Sequence, residues 1–268
     1  MNQLALSDQE FRQFQTMIYD IAGISMSPAK KPLVSGRLMK RVKHNGLSSY
    51  GEYFRLLMKN GGNDELQMAI DLLTTNETYF FREPKHFDFM RNRVLTERKP
   101  GRPFRLWSAA SSSGEEPYSL AMLLADVLGE AQWELVASDL STRVLEKART
   151  GLYPMERAEG IPKHYLTRFC LKGTGSQDGQ FLIARELRNR VQYRQVNLNE
   201  TLPKMGEFDV IFLRNVMIYF DMETRRQVVG RMVPLLAPGG YLIIGHSESL
   251  NGVTDELKVV VPSVYRKP

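Results

Sequence analysis

The stretch LWSAASSSGEEPYSLAM (residues 106–122) decides how the chain is read. It begins inside a short apolar run, FRLWSA (104–109), that reads as a strand. A turn of small residues follows, and from Gly114 to Leu128 apolar residues recur at helical spacing. Downstream, WELVASD (133–139), FDVIFLRN (208–215), GYLIIGHS (240–247) and VVVPSVYRK (259–267) read as further strands. Helical patterns at Thr142–Ala148 and Arg225–Leu236 separate them. Near-continuous apolar strands alternating with helices predict an open, mostly parallel α/β sheet. Residues 155–195 interrupt that alternation with Gly173, Gly175 and Gly179, then two short strands at 181–186 and 190–196. Pairing across Leu187-Arg188-Asn189 would make them a small antiparallel β-insert.

Upstream, residues 1–98 read as all-helical. Ser7 with Glu10, and Ser49 with Glu52, have capping-box spacing ahead of apolar stripes. Asn63 can cap a helix carrying Leu66, Ile70 and Leu73, and Gly61-Gly62 breaks the pattern before it. Ser27-Pro28 opens a further helix, with a capping hydroxyl and proline in the first turn. Val34, Leu38 and Val42 fall on one arc of it, and Lys30, Arg37, Lys40, Arg41, Lys43 and His44 on the opposite arc.

That arc holds the charge. The 268 residues carry 36 Lys+Arg against 30 Asp+Glu, a net +6, yet residues 26–60 alone have eight basic side chains and one acid, Glu52. The rest of the chain is therefore close to neutral. A basic helix is either a solvated face or a docking surface for a polyanion, whether nucleic acid, anionic lipid or an acidic protein helix. One cysteine, Cys170, excludes a disulfide framework and a cysteine-rich zinc site and fits a reducing compartment. No apolar run reaches a membrane span, and no signal-peptide pattern opens the chain, so a cytoplasmic protein is expected.

In an open α/β sheet, ligands bind beyond the carboxyl ends of the strands. The residues there are Ser111 to Glu116 after the first strand, Asp139 ending the second, Asn197 after the third and Arg214-Asn215 after the fourth. An acid at Asp139, 25 positions after Gly114, suits both ribose hydroxyls of an adenosine group. A dinucleotide site wants G-x-G-x-x-G, whereas this turn has one glycine and two glutamates, Glu115 and Glu116. Those carboxylates would repel a diphosphate but not a ligand carrying an amino group and a sulfonium. A class I methyltransferase is favoured over a nicotinamide enzyme, and no P-loop is present.

Five strings now carry a resemblance: LLTTNETYFFRE (72–83), LWSAASSSGEEPYSLAM (106–122), ASDLSTRVLEKARTGLY (137–153), FLRNVMIYFD (212–221) and GGYLIIGHSESL (239–250). Together they resemble the chemotaxis receptor methyltransferases of the CheR type, in order and spacing over nearly the whole chain. The resemblance implies methyl transfer from S-adenosylmethionine to glutamate side chains of transmembrane chemoreceptors, leaving S-adenosylhomocysteine. It implies a receptor-recognising helical domain (1–75), a linker (76–98) and a Rossmann-like class I methyltransferase domain (99–268) with the β-insert (155–195). It further implies cofactor contacts from Asn76, Thr78, Arg82, Glu116 or its neighbour Glu115, Asp139, Asn197, Leu198, Arg214 and Asn215, and an active-site Tyr219. Ser113 stands where many members have threonine and retains the hydroxyl.

From this follow the remaining expectations. Arg82 orients a carboxylate through its bidentate fork, and Tyr219 lines the methyl-transfer pocket. Lys30, Arg37, Lys40 and Arg41 meet the acidic methylation helix of a receptor. The Gly173–Gly175 loop resembles that of members whose insert binds a C-terminal receptor pentapeptide. The protein is expected to be a monomer recruited to receptor arrays, with no metal, no membrane insertion and no nucleic-acid partner. Against a nucleic-acid methyltransferase stands the run Asn215-Val216-Met217-Ile218-Tyr219-Phe220, which lacks the Asn/Asp-Pro-Pro-aromatic cradle for exocyclic amines. Against a cofactor-sensing protein without catalysis stand Arg82 and Tyr219. His246-Ser247-Glu248 has no nucleophile elbow and reads as structural, and Cys170 as packed rather than reactive.

Overall fold

The computed structural model describes residues 4–59, 64–98, 101–129 and 131–268; the Gly61-Gly62 and Asn63 expectations lie outside them. The chain divides into two units, residues 1–75 with 219–225, and residues 76–218 with 226–268.

The first unit is helical: α1 (Asp8–Ala22), α2 (Lys31–His44), α3 (Tyr50–Lys59) and α4 (Asp64–Leu73). Ser7 and Glu10 form both arms of a capping box on α1, and Gly23 in the left-handed region ends it. At α3 the Ser49 hydroxyl accepts the Glu52 N–H at 3.1 Å. The Glu52 carboxylate, however, reaches back to the N–H of Ser48 at 2.7 Å rather than to that of Ser49. Ser27 makes no side-chain capping bond: a 3₁₀ turn over Pro28–Lys30 precedes α2 and offers the α2 start in place of a capped one. Phe14 and Ile18 of α1, Val34, Leu38 and Val42 of α2, and Tyr50, Tyr53 and Leu57 of α3 are fully buried. Each aliphatic or phenyl group so buried contributes about 1.5–3 kcal/mol. The segment 219–225 is bound to this unit: Ile24 bridges Phe220, and the Ser25 N–H donates to the Tyr219 carbonyl at 2.8 Å.

The second unit begins with an irregular segment, then α5 (Lys85–Phe89) continued by a π-turn (Met90–Val94). Residues 76–98 thus group with the sheet that follows rather than standing apart. That sheet and its helices comprise β1 (Phe104–Ser108), α6 (Glu115–Leu128), β2 (Trp133–Asp139), α7 (Thr142–Thr150), β3 (Leu152–Pro154), α8 (Lys163–Phe169), β4 (Cys170–Lys172), β5 (Gln180–Ile183), α9 (Arg185–Arg188), β6 (Val191–Gln195), β7 (Phe208–Leu213), α10 (Met222–Met232), β8 (Leu236–Ile244), β9 (Lys258–Val261) and β10 (Val264–Arg266).

Seven strands pair in the order β6-β2-β1-β7-β8-β10-β9, the first five parallel and the last two antiparallel. The chain builds outward from β1 through β2 to β6, then returns to lay β7 on the other side of β1. The connections therefore diverge between β1 and β7, and a crevice opens at their carboxyl ends, where α/β sheets take ligands. Leu106, Leu135, Val210, Phe212 and Ile243 are buried in the core on which α6 packs.

Two strand assignments differ from the sequence reading. The strands at 181–186 and 190–196 do not pair with each other. β5 lies between β3 and β4 in a separate antiparallel sheet, while β6 pairs in parallel with β2. Residues 185–188 take a helical turn, and Asn189 has φ −71°, so the left-handed turn that a tight hairpin needs is missing. The small sheet thus starts at Leu152, ahead of the expected insert's amino-terminal border at residue 155. VVVPSVYRK is likewise two strands: Pro262 has no N–H for a ladder, and Ser263 at φ 62° reverses the chain between β9 and β10.

Candidate active site

The crevice is built by the turn after β1, the end of β2, the loop after β7 and the segment 76–83. Four non-glycine residues here have positive φ: Phe81, Glu83, Ser112 and Asn215. Such strain persists where surrounding bonds over-determine the backbone, and the bonds are present.

Asp139, ending β2, holds the turn after β1 in shape. One carboxylate oxygen accepts the Ser112 N–H at 2.9 Å and the other the Ser141 N–H at 2.9 Å. Ser112 in turn donates to the Asn76 carbonyl at 2.8 Å. Gly114 follows at φ 98°, and a Cβ there would stand 2.7 Å from the Tyr153 hydroxyl. Its smallness therefore serves packing of the turn against Tyr153.

The two glutamates that open α6 point to different partners. Glu115, fully buried, accepts from the Ser113 hydroxyl at 2.7 Å and from Arg157 at 3.2 Å. Burial raises its pKa against those bonds. Arg157 also donates to the Thr78 carbonyl at 2.8 Å. Glu116 accepts from the Ser108 hydroxyl at 2.7 Å and from Arg214 at 2.9 Å. Each carboxylate is thus paired, so repulsion of a diphosphate is weaker than the sequence alone suggests. What disfavours a pyrophosphate is the single glycine of the turn.

Arg214 is the hub. Its side chain is 1% exposed, and besides Glu116 it reaches the Arg82 carbonyl at 2.5 Å and Glu83 at 3.1 Å. Asn215 donates its side-chain amide to Glu83 at 3.2 Å, and its N–H to Glu248 at 2.9 Å. Burial works to raise the Glu83 carboxyl, but Arg214 and Asn215 outweigh it and hold the group below its ordinary value. Glu248 also accepts the N–H groups of Gly245 and Ile218, which supports a structural role for Glu248.

Arg82 is half-buried. One guanidinium nitrogen donates to the Glu77 carbonyl at 3.1 Å, and the group lies 5.6 Å from the centre of the exposed Tyr79 ring. The structure therefore links Asn76, Thr78, Arg82, Glu115, Glu116, Asp139, Arg214 and Asn215 through bonds to one another or to shared partners. Asn197 bonds Glu200 and the Asn199 N–H, and the Leu198 carbonyl accepts from Arg231. Tyr219 begins the segment grouped with the helical unit and is half-buried.

Lys30, in the 3₁₀ turn before α2, and Lys40 on α2 are exposed, as expected. Arg37 and Arg41 are not free cations on an open arc. Arg37 donates to the carbonyls of Leu73 and Thr74, and Arg41 forks onto Glu65. Helical spacing assigns a face but not what a neighbouring helix brings to it. In the small sheet a Cβ on Gly173 would overlap the Gln177 carbonyl, so that glycine is required by its own loop. Burial pushes the Cys170 thiol up to about 12, consistent with an unreactive group.

Sequence reasoning missed Glu83, Arg157 and Glu248 as members of the network. Glu83 closes the string 72–83, and only its position beside Arg214 gives it a role. The donor set fits S-adenosylmethionine: the crevice offers carboxylates and amide oxygens to a cationic adenosine ligand, and it lacks a phosphate cradle. The buried Ser111 hydroxyl at the turn has no hydrogen-bond partner in the protein.

Comparison with known proteins agrees. Residues 76–265 match the model of the CheR methyltransferase SAM-binding domain, and residues 9–74 that of the CheR methyltransferase all-alpha domain. The chain is 43% identical to a chemotaxis protein methyltransferase of Escherichia coli over 98% of this chain and 92% of that one. It is 43% identical to one from Salmonella typhimurium, covering 98% and 91% respectively, and 42% identical to chemotaxis protein methyltransferase 2 of Pseudomonas aeruginosa, covering 96% and 92%. With the switch-point crevice, its acid at the end of β2 and both family models in register, the chain belongs to the CheR methyltransferase family.

Proposed function

We propose that this chain is a protein-glutamate O-methyltransferase acting on chemoreceptors, with S-adenosylmethionine as methyl donor. Full-length similarity to chemotaxis protein methyltransferases carries the reading. The bound donor supplies a methyl group activated by a sulfonium. A substrate glutamate, with an ordinary pKa of about 4.3, is ionised at neutral pH and needs no general base. The task left to the protein is orientation and exclusion of water, worth up to roughly 7–11 kcal/mol when geometry is best.

Asp139 holds the donor's ribose, and its bonds to Ser112 and Ser141 fix it for that role. Asn197 and Leu198 flank the adenine. Arg214, held by Glu116, Glu83 and the Arg82 carbonyl, shapes the crevice beside the cofactor, and its buried Nε has no partner in the protein. Arg82, with a guanidinium less fully engaged, orients a carboxylate, and Tyr219 lines the pocket. A guanidinium that held the nucleophile too tightly would weaken it, so Arg82 acts by orientation.

The receptor's acidic methylation helix meets Lys30, in the turn before α2, and Lys40 of α2. A receptor C-terminal peptide adds a strand to β4, one of the two outer strands of the small sheet, whose Leu171 is 59% exposed. Such tethering raises the local substrate concentration. The protein works as a monomer on the cytoplasmic side, at receptor arrays. Among the described residues no helix is long and apolar enough to cross a membrane.

The test is transfer of labelled methyl to receptor-containing membranes, followed by mild base. A glutamyl ester releases the label. Label that survives base, or no transfer, overturns the reading. Calorimetry with an aromatic and acidic pentapeptide tests the tether, which silence at high micromolar peptide would rule out.

A further inference from the structure

Beside the crevice, Glu83, His86 and His246 bring one ligand atom each to within 4.8 Å of one another. His86 is 2% exposed, and its Nδ1 has no hydrogen-bond partner. Its other nitrogen, Nε2, lies 2.7 Å from the Ser263 hydroxyl. Ser263 has one hydrogen and gives it to the Pro262 carbonyl at 2.6 Å, so the hydroxyl accepts from His86 Nε2–H. In the neutral ring this leaves the lone pair on Nδ1. That lone pair faces Glu83 Oε2 at 3.4 Å, an acceptor opposite an acceptor. The His246 ring packs edge-on against His86, with Nε2 4.0 Å from Glu83 Oε2 and its side chain 46% exposed.

We propose that Glu83, His86 and His246 form a binding site for a divalent transition-metal ion such as zinc. Ligand atoms about 2.1 Å from a tetrahedral ion stand about 3.4 Å apart. The His86–Glu83 pair already has that separation, and a small rotation of the exposed His246 closes the set. The Ser263–Pro262 relay behind His86 is the outer support that fixes the ring of a metal-binding histidine. Imidazole nitrogens with one carboxylate select zinc, copper, nickel or cobalt over magnesium or calcium. The opposing charge is Arg214, which shares Glu83 Oε2 and also pairs with Glu116, so two carboxylates flank one guanidinium. An ion on Glu83 competes with Arg214 for that oxygen. Occupancy therefore loosens the hub of the crevice and inhibits methyl transfer, a consequence that rests on the function proposed above. Sequence spacing cannot show this site, because His246 lies far along the chain from the other two ligands.

The test uses cobalt(II) as a spectroscopic probe on the full chain and on His246→Ala, an exposed position that leaves the fold intact. Wild type should bind at micromolar cobalt with the intense absorption of a four-coordinate ion, displaced by zinc. His246→Ala should bind at least about tenfold more weakly. A weak octahedral spectrum in wild type, or equal binding by both proteins, overturns the site and leaves an ordinary His–Glu contact. Zinc should inhibit methyl transfer by wild type more than by His246→Ala. Cobalt binding without zinc inhibition would overturn the competition with Arg214 while the site stands.

Discussion

Two arginine clusters in this protein have similar chemistry and different surroundings. In the crevice, Arg214 is sealed from solvent and forks between Glu116, Glu83 and a backbone carbonyl. On α2, Arg41 forks onto Glu65 with both side chains partly exposed, and Lys40 beside it is open to water. Removing one partner from the buried set leaves charges with neither water nor counterion. At the helix, water substitutes for a lost partner. The buried cluster therefore determines shape, while the partly exposed one tolerates the loss of a partner.

The most severe way to break that contrast is Arg214→Ala. Two buried carboxylates lose their cation, and urea denaturation should show a loss of about 3–5 kcal/mol. A loss no larger than that of Arg41→Ala would erase the distinction. Next comes Arg82→Ala, which removes a half-exposed guanidinium that the network does not need. Stability should hold while turnover falls about 10²-fold or more. Wild-type turnover would remove Arg82 from the chemistry. Asp139→Asn keeps the shape of the side chain and removes its charge. A charged hydrogen bond is worth about 1.5–3 kcal/mol, so cofactor affinity measured by calorimetry should drop about 10–100-fold.

Smaller effects belong to α2. Lys40→Glu should slow receptor methylation about two- to fivefold at low salt, less at high salt, with cofactor affinity unchanged. Charge reversal at Arg37 or Arg41 would also break contacts inside the helical unit, so Lys40 is the cleaner probe. The Arg41–Glu65 pair itself should contribute about 1 kcal/mol. Its hydrogen bonds from Arg41 hold Glu65 below the ordinary 4.5. The folded state thus binds that proton less readily than the unfolded one. The contribution is complete above about pH 4.5 and is lost as pH falls through the depressed value. Arg41→Ala should remove this part of the acid dependence in denaturation curves recorded from pH 6 to pH 3.

The alternation of apolar runs and helices from residue 104 onward reports the parallel sheet, because a strand buried on both faces must be apolar throughout. Asp139 and the small-residue turn are legible for a related reason: strand ends in such a sheet place polar residues at the ligand. The small sheet was harder to read. The stretch 181–196 contains two strands, but periodicity records which residues favour extension and not which strand each will pair with. Asn189 outside the left-handed region sends β6 to the edge of the large sheet. The glutamates opening α6 show the same limit, since their partners Arg157 and Arg214 lie 42 and 98 positions away.

By itself the sequence determined most element types and the order of the two units, which follow from local pattern and spacing, while the family and expected contacts such as Asn76, Thr78 and Arg82 came from its resemblance to known motifs. Only the tertiary structure decided that Arg214 is a buried hub, that Arg37 and Arg41 are engaged within their own unit, and that His86 faces Glu83 with an unsatisfied nitrogen. These are pairings between residues distant in the chain. Their energies depend on burial and on distances of a few ångströms, which no one-dimensional pattern encodes.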